Sequence, residues 1–127
     1  MPIAKGICMG AAQIPNRGEI WLVDFDPAVG SEIRKIRPAL VVSLDSIGRL
    51  PLRLVVPITD WKSRYSSFPW FTELPANATN GLLKNSGADS FQTKSVALAR
   101  FVRRLGVVTL VQLDSVSGAV ALCVGAP

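Results

Sequence analysis

No histidine occurs anywhere in the 127 residues. That excludes a Ser-His-Asp triad, a Cys-His pair, a histidine general base and any imidazole-built metal site. Cysteine is nearly as scarce. Cys8 and Cys123 lie at opposite ends of the chain and make neither a disulfide framework nor a metal knuckle. No apolar run approaches the ~18 residues expected of a membrane span. The first residues carry a single charge, Lys5, and their apolar stretch is broken by Gly6 and Gly10, a poor core for a signal peptide. Residues 1–16 read as an N-terminal extension, with Met9 as an alternative start, and residues 17–127 as the domain. Isolated cysteines without an export signal point to the cytoplasm. Walker loops, dinucleotide fingerprints, CxxC pairs and nucleophile elbows are all missing, so no cofactor and no metal is implied.

Apolar residues and positive charge are present instead. Hydrophobic residues make up 49% of the chain, ample for a packed core, and the length fits one domain. Lysine and arginine number 14 against 9 acidic residues, a net charge of +5. The excess permits a polyanionic partner without requiring one. Beyond Ser90 the bias sharpens: one acid, Asp114, faces Lys94, Arg100, Arg103 and Arg104.

Glu19 to Phe25 alternates as a strand, with Ile20, Leu22 and Asp24 on one side and Trp21, Val23 and Phe25 on the other. Asp26-Pro27 ends it, and a polar loop runs through Arg37. Ala39–Ser43 is a short apolar run of the kind buried on both faces. Leu52–Thr59 is a β-branched strand in which Pro57 implies a bulge, an end or a sheet edge. Pro69–Thr72, Ser90–Val96 and Val102–Val108 are further strands, and the stretch from Pro75 to Asp89 reads mostly as loop. At the C-terminus the period changes. Leu110, Leu113, Val116, Val120, Cys123 and Val124 fall on one helical face, Thr109 and Gln112 have capping-box spacing, and Gly125 is the stop. Cys123 is expected as a buried small hydrophobe on that helix. The pattern is mainly β: a small antiparallel sheet or barrel closed by one helix.

Within this frame, residues 17 to 43 carry a composite motif. It consists of Gly18-Glu19, Trp21, Asp26-Pro27, Gly30-Ser31-Glu32 and Arg37-Pro38 leading into an apolar strand. It resembles the N-terminal signature of the MazF/PemK toxins, the mRNA interferases of type II toxin-antitoxin systems. Val55–Thr59 resembles the end of that family's third strand, and Gln92–Val96 its Gln-x-(Arg/Lys)-(Ser/Thr)-apolar motif. The resemblance covers most of Arg17 to Leu105. It implies an SH3-like barrel or twisted antiparallel sheet, a homodimer, a cognate antitoxin, and metal-independent, sequence-selective cleavage of single-stranded RNA. The chain departs from the family pattern at Ile33, Phe91 and Ala97, where many members carry Gln, Asp and Asp.

Cleavage without a metal can use the neighbouring 2′-hydroxyl, leaving a 2′,3′-cyclic phosphate and a 5′-hydroxyl. The resemblance assigns catalysis to Arg37, Thr59 and Glu32. A guanidinium matches two phosphate oxygens and is a poor base, so Arg37 stabilises charge. Thr59 offers a hydroxyl to a phosphate oxygen. Glu32 is the proton acceptor, with desolvation to tune it, and Asp60 is a weaker rival. Ser31, Lys35, Gln92 and Lys94 are expected to bind RNA, Gln92 through a base edge and Lys94 through a phosphate. Each has an ordinary alternative: Arg37 paired to Glu32 or Asp24, Thr59 ending a strand, Glu32 paired to Arg34, Lys35 or Arg37. Trp61, Tyr65 and Trp70, interleaved with Lys62 and Arg64, form either a stacking platform or part of the core. Two other functions fit the same fold: a CcdB-like gyrase-binding toxin, or an RNA-binding module that has lost cleavage.

Overall fold

In the computed structural model, residues 14–27, 29–32, 35–47 and 50–127 are described. The readings made for residues 1–13, Met9 and Cys8 among them, and for Ile33 and Arg34 lie outside them. The strands are β1 Glu19–Asp24, β2 Ile36–Val41, β3 Leu52–Asp60, β4 Phe71–Leu74, β5 Ser86–Asp89, β6 Lys94–Ala97 and β7 Phe101–Val107, followed by helix α1 Leu110–Cys123. They form one seven-stranded sheet in the order β4-β5-β3-β2-β1-β7, with β6 also paired to β3. Every pairing is antiparallel. The path does not return on itself, so a twisted open sheet is found and not a closed barrel.

β1 shows why the sheet holds two small cores. Its alternation sends Ile20 to a cluster with Leu40, Val56, Ile58, Leu74, Leu113 and Val116, and α1 packs there. Trp21, Val23 and Phe25 go to the other face, against Ala39, Val41, Val55, Val96 and Phe101. Each such side chain contributes ~1.5–3 kcal/mol when fully buried. The Trp21 and Phe101 rings meet edge-on at 5.8 Å, and the indole N–H donates to Glu19 Oε1 at 3.0 Å. Glu19 in turn pairs with Arg104 at 3.0 Å, which ties β1 to the edge strand β7.

Pro57 makes no bulge and lies at no edge. β3 pairs with β6 as far as Val55↔Lys94 and with β5 from Ile58↔Ala88. Pro57 falls in the gap between those partners, where a missing N–H breaks no ladder. Two other strands differ from the sequence pattern. β4 begins at Phe71, two residues late, and Ser86–Asp89 is a strand, not loop. Ser90–Gln92 is a 3-10 turn ahead of β6.

α1 has the expected cap. Thr109 accepts the Gln112 N–H, Gln112 accepts the Thr109 N–H, and Gly125 takes φ +69°. Its apolar face is narrower than the sequence suggested, being Leu113, Val116 and Ala119 with Val120 beside them. Leu110 and Val124 are exposed, and Cys123 is half-buried instead of fully so. Arg53 is a buried cation among carbonyls: Nε donates to Pro15 and Nη1 to Leu50 and Leu52, all near 3.0 Å. That satisfies the fork without an acid.

Candidate active site

The β2–β3 register builds the first half of the site. Ala39 lies opposite Pro57 and Val41 opposite Val55. Continuing that register by two residues sets Arg37 against Thr59. By the two-residue period of a strand, both share the face of Ala39 and Val55. Arg37 is half-buried in β2, opposite Val23 on its other side, and Thr59 is half-buried near the end of β3. Asp60 alternates to the opposite face, where it pairs with Lys84 at 3.7 Å in solvent. There it lines a largely apolar groove of ≈ 540 Å³ with Leu22, Pro38, Leu82 and Arg103. Its carboxylate is therefore on the face away from the Thr59 side chain.

The second half lies where the β1–β2 loop reaches β6. Gln92 Nε2 donates to the Ser31 carbonyl at 3.1 Å, and Lys94 Nζ stands 3.7 Å from Glu32 Oε2. Ser31, Glu32, Phe91, Gln92, Thr93 and Lys94 line a cleft of ≈ 380 Å³. Lys94 pairs with Val55, four residues before Thr59, so the two halves are separated by roughly 13 Å along β3. Glu32 also accepts the Val29 N–H at 2.7 Å. Its carboxylate is exposed. A cation beside it is Lys94, which the sequence reading did not weigh as its partner. The pair is open to water and is worth at most ~1 kcal/mol. Its effect is to position the loop.

The loop is held at its base. The Asp26–Pro27 peptide is cis, and Lys35 has φ +66°. Lys35 N–H donates to Asp26 Oδ1 at 2.9 Å, and the Phe25 N–H donates to the Lys35 carbonyl at 3.0 Å. A lysine in the left-handed region costs about 1 kcal/mol or more. Here it turns the chain into β2 while its side chain stays exposed. Arg100 clamps the same loop through Nη1, which donates to the carbonyls of Asp24 and Asp26. Sequence reading gave Arg100 only as part of a basic run; nothing in its neighbours signals a carbonyl clamp.

Asp89 was also missed. It caps the 3-10 turn by accepting the Phe91 N–H at 3.1 Å and so presents Phe91 and Gln92 to the cleft. The Asp-x-Phe spacing of an Asx turn is its only sequence signal. Burial pushes its carboxyl up from the ordinary value, opposed by the Phe91 N–H. A carboxyl raised in the folded state favours folding most when protonated. Its contribution is therefore full at low pH and is lost as pH rises through the folded-state pKa. Asp89→Asn keeps the cap acceptor and removes the charge. Its urea midpoint should exceed the wild type's at pH 7, and the difference should vanish near pH 3.

Among the described residues, no three His, Cys, Asp or Glu side chains gather to hold a metal ion, and no helix is long and apolar enough to cross a membrane.

Residues 16–124 match the family model described as the PemK-like, MazF-like toxin of type II toxin-antitoxin systems. The chain is 38% identical over 113 residues to endoribonuclease MazF9 of Mycobacterium tuberculosis, covering 84% of this chain and 93% of that protein. Its fold is similar to that of MazF from Deinococcus radiodurans, at TM-score 0.76 and 24% identity over 88% of this chain and 97% of the other. A mycobacterial endoribonuclease solved in complex with its cognate antitoxin aligns at TM-score 0.70 and 18% identity, covering 89% of this chain and 97% of that one.

Proposed function

Because the chain belongs to the PemK-like, MazF-like toxin family, we propose that it is the endoribonuclease toxin of a toxin-antitoxin pair and cuts single-stranded RNA at short motifs. What supports this reading is the β2–β3 register, Ala39 opposite Pro57 and Val41 opposite Val55, which two residues further along would bring Arg37 to the level of Thr59. A guanidinium and a hydroxyl at neighbouring positions on one face of the sheet can bind the non-bridging oxygens of one phosphate. They stabilise the extra charge of the pentacoordinate phosphorus.

In the reaction the 2′-oxygen forms a bond to phosphorus and the bond from phosphorus to the 5′-oxygen breaks. The 2′-proton passes to water at the open site; Glu32, exposed and paired with Lys94 roughly 13 Å along β3 from Thr59, stands in the other half of the site and serves there to hold the loop. The cleft is open, so water is at hand to protonate the leaving 5′-oxygen. No histidine is needed. Lys35 and Lys94 meet backbone phosphates. Ser31 and Gln92, joined by their hydrogen bond, face a base in the adjoining cleft.

A homodimer accords with the apolar side chains of Leu50, Leu52 and Leu54, about half-exposed at the start of β3, with Leu44 beside them. An acidic antitoxin segment laid along Lys35, Lys94 and Arg37 would block the site by charge and by occupancy. The substrate places the reaction in the cytoplasm.

Cleavage of a long RNA by the purified protein tests the reading, and Thr59→Val refines it. The valine keeps the strand and removes the hydroxyl. Its kcat should fall about tenfold or more with little change in KM, since the contact tightens only as charge develops. An unchanged kcat removes Thr59 from the chemistry.

A further inference from the structure

Three of the chain's aromatic residues, Trp21, Phe25 and Phe101, are buried in the core. The remaining six are not: Trp61, Tyr65, Phe68, Trp70 and Phe71 are partly exposed, and Phe91 is 67% exposed. These six touch one another in a continuous array. Phe91 meets Trp70 edge-on at 5.8 Å, and Trp70 stacks on Phe68 at 4.9 Å. Phe68 lies 6.4 Å from Tyr65 and 6.2 Å from Phe71. Tyr65 stacks on Phe71 at 3.9 Å, and Trp61 meets Tyr65 edge-on at 5.8 Å.

The two ends of the array fall at the two halves of the candidate site. At one end, Gly87 pairs with Thr59 across the strands. A Cβ at Gly87 would stand 2.9 Å from Trp61 Cε3 and 3.1 Å from Phe71 Cδ1, so those rings lie on the strand beside Thr59. At the other end, Phe91 lines the cleft with Gln92 and Lys94. We propose that this array is a stacking path for the bases of the RNA strand flanking the cut, linking the Arg37–Thr59 phosphate site to the Gln92 cleft. The proposal takes its ligand from the endoribonuclease reading above.

The two cations set among the rings favour a nucleic acid over an apolar peptide. Lys62 and Arg64 are exposed between the aromatics, and the Arg64 guanidinium sits 5.2 Å from the centre of the Tyr65 ring; of the acids beside the array, Asp89 opposite Phe71 is half-buried and accepts the Phe91 N–H, and Glu73 opposite Gly87 is exposed. Rings for bases and cations for the phosphates between them are what a single strand requires. Stacking is tolerant of sequence because every base has a π-face. The path therefore adds grip on either flank, and motif choice stays with the Gln92 cleft.

The test uses the full-length protein and an RNA whose cut site has been mapped. Three oligonucleotides are compared: the cut site alone, the site with several flanking nucleotides, and the same flank made abasic. The intact flank should lower KM about tenfold, and the abasic flank, which keeps its phosphates, should not. In Trp70→Leu, and independently in Phe91→Leu, the gain from the intact flank should disappear, with melting curves confirming that both variants fold. An equal gain from the abasic flank, or a gain that survives in both variants, overturns the path. So does loss of binding to an acidic peptide in Trp70→Leu with the RNA gain intact, which assigns the rings to a protein partner.

If no RNA is cut at all, quenching of tryptophan fluorescence still reads the path, because Trp61 and Trp70 are accessible and Trp21 is buried. Quenching by the intact strand but not the abasic one keeps the path while the nuclease reading falls. Quenching by neither overturns the path.

Discussion

Replacing Arg37 with alanine should lower RNA cleavage at least about a hundredfold, the loss seen when one preorganised transition-state donor is removed. Arg37 occupies β2 opposite Val23, on the face and at the register position of Thr59. In the proposed reaction its guanidinium, on a residue held in β2 by pairing with β1, stabilises the charge that develops on the phosphate. Lysine at this position keeps the charge and loses the planar fork, so Arg37→Lys should recover only part of the activity. The cost in stability is about 1 kcal/mol, mainly from the packed stem of the side chain. A melting temperature within a few degrees of the wild type separates chemistry from unfolding. Cleavage within a few-fold of the wild type in Arg37→Ala would remove this residue from the reaction.

Gly81→Ala should destabilise the fold by about 3 kcal/mol or more and lower the melting temperature by roughly 10 °C. Two separate effects add at this position. Gly81 has φ +70°, which a side chain strains. Its added Cβ would also lie 2.2 Å from the Leu105 carbonyl oxygen and 2.8 Å from the carbonyl carbon, backbone atoms that cannot rotate away. Gly106 answers from the facing strand, where a Cβ would come within 2.2 Å of the Thr79 oxygen. The two glycines let the loop before β5 lie flat on β7, and Thr79 accepts the Val107 N–H there at 3.0 Å. Buried Asn80 closes the loop, accepting from Asn77 and Leu82 and donating to the Pro75 carbonyl. Gly118→Ala, on exposed helix with nothing within 4 Å of the new methyl, should act in the opposite sense and stabilise by up to ~1 kcal/mol. Urea denaturation of the two variants tests both signs. A neutral Gly81→Ala contradicts the packing described.

Elements that write their own burial were legible in the sequence. β1 alternates cleanly, β3 is β-branched, and α1 carries its capping box in Thr109 and Gln112. β5 was not legible, because Ser86-Gly87-Ala88-Asp89 has no apolar alternation. It is buried by what covers it, including the rings of Trp61 and Phe71 over Gly87. Pro69-Trp70 read as strand, but Trp70 serves the aromatic array and β4 starts after it. The site shows the same division. No spacing along the chain says that Arg37 and Thr59 oppose one another, since they lie on different strands with the register set by the apolar pairs Ala39–Pro57 and Val41–Val55. The family resemblance joins them, and the β2–β3 register runs towards the same juxtaposition. Glu32 was placed in the right loop, but its exposure and its partner Lys94 depend on where that loop lands on β6. Asp89 and Arg100 act through backbone groups, which leave little trace in residue type.

The central claim is cleavage by 2′-hydroxyl attack without histidine or metal. The most direct measurement is the chemistry of the ends. Purified protein is incubated with a long single-stranded RNA in excess EDTA, and the products are mapped and their termini identified. Cuts at a recurring short motif are expected, with 2′,3′-cyclic phosphate on one fragment and 5′-hydroxyl on the other. Intact RNA, cleavage only after a divalent cation is restored, or 5′-phosphate ends would contradict it.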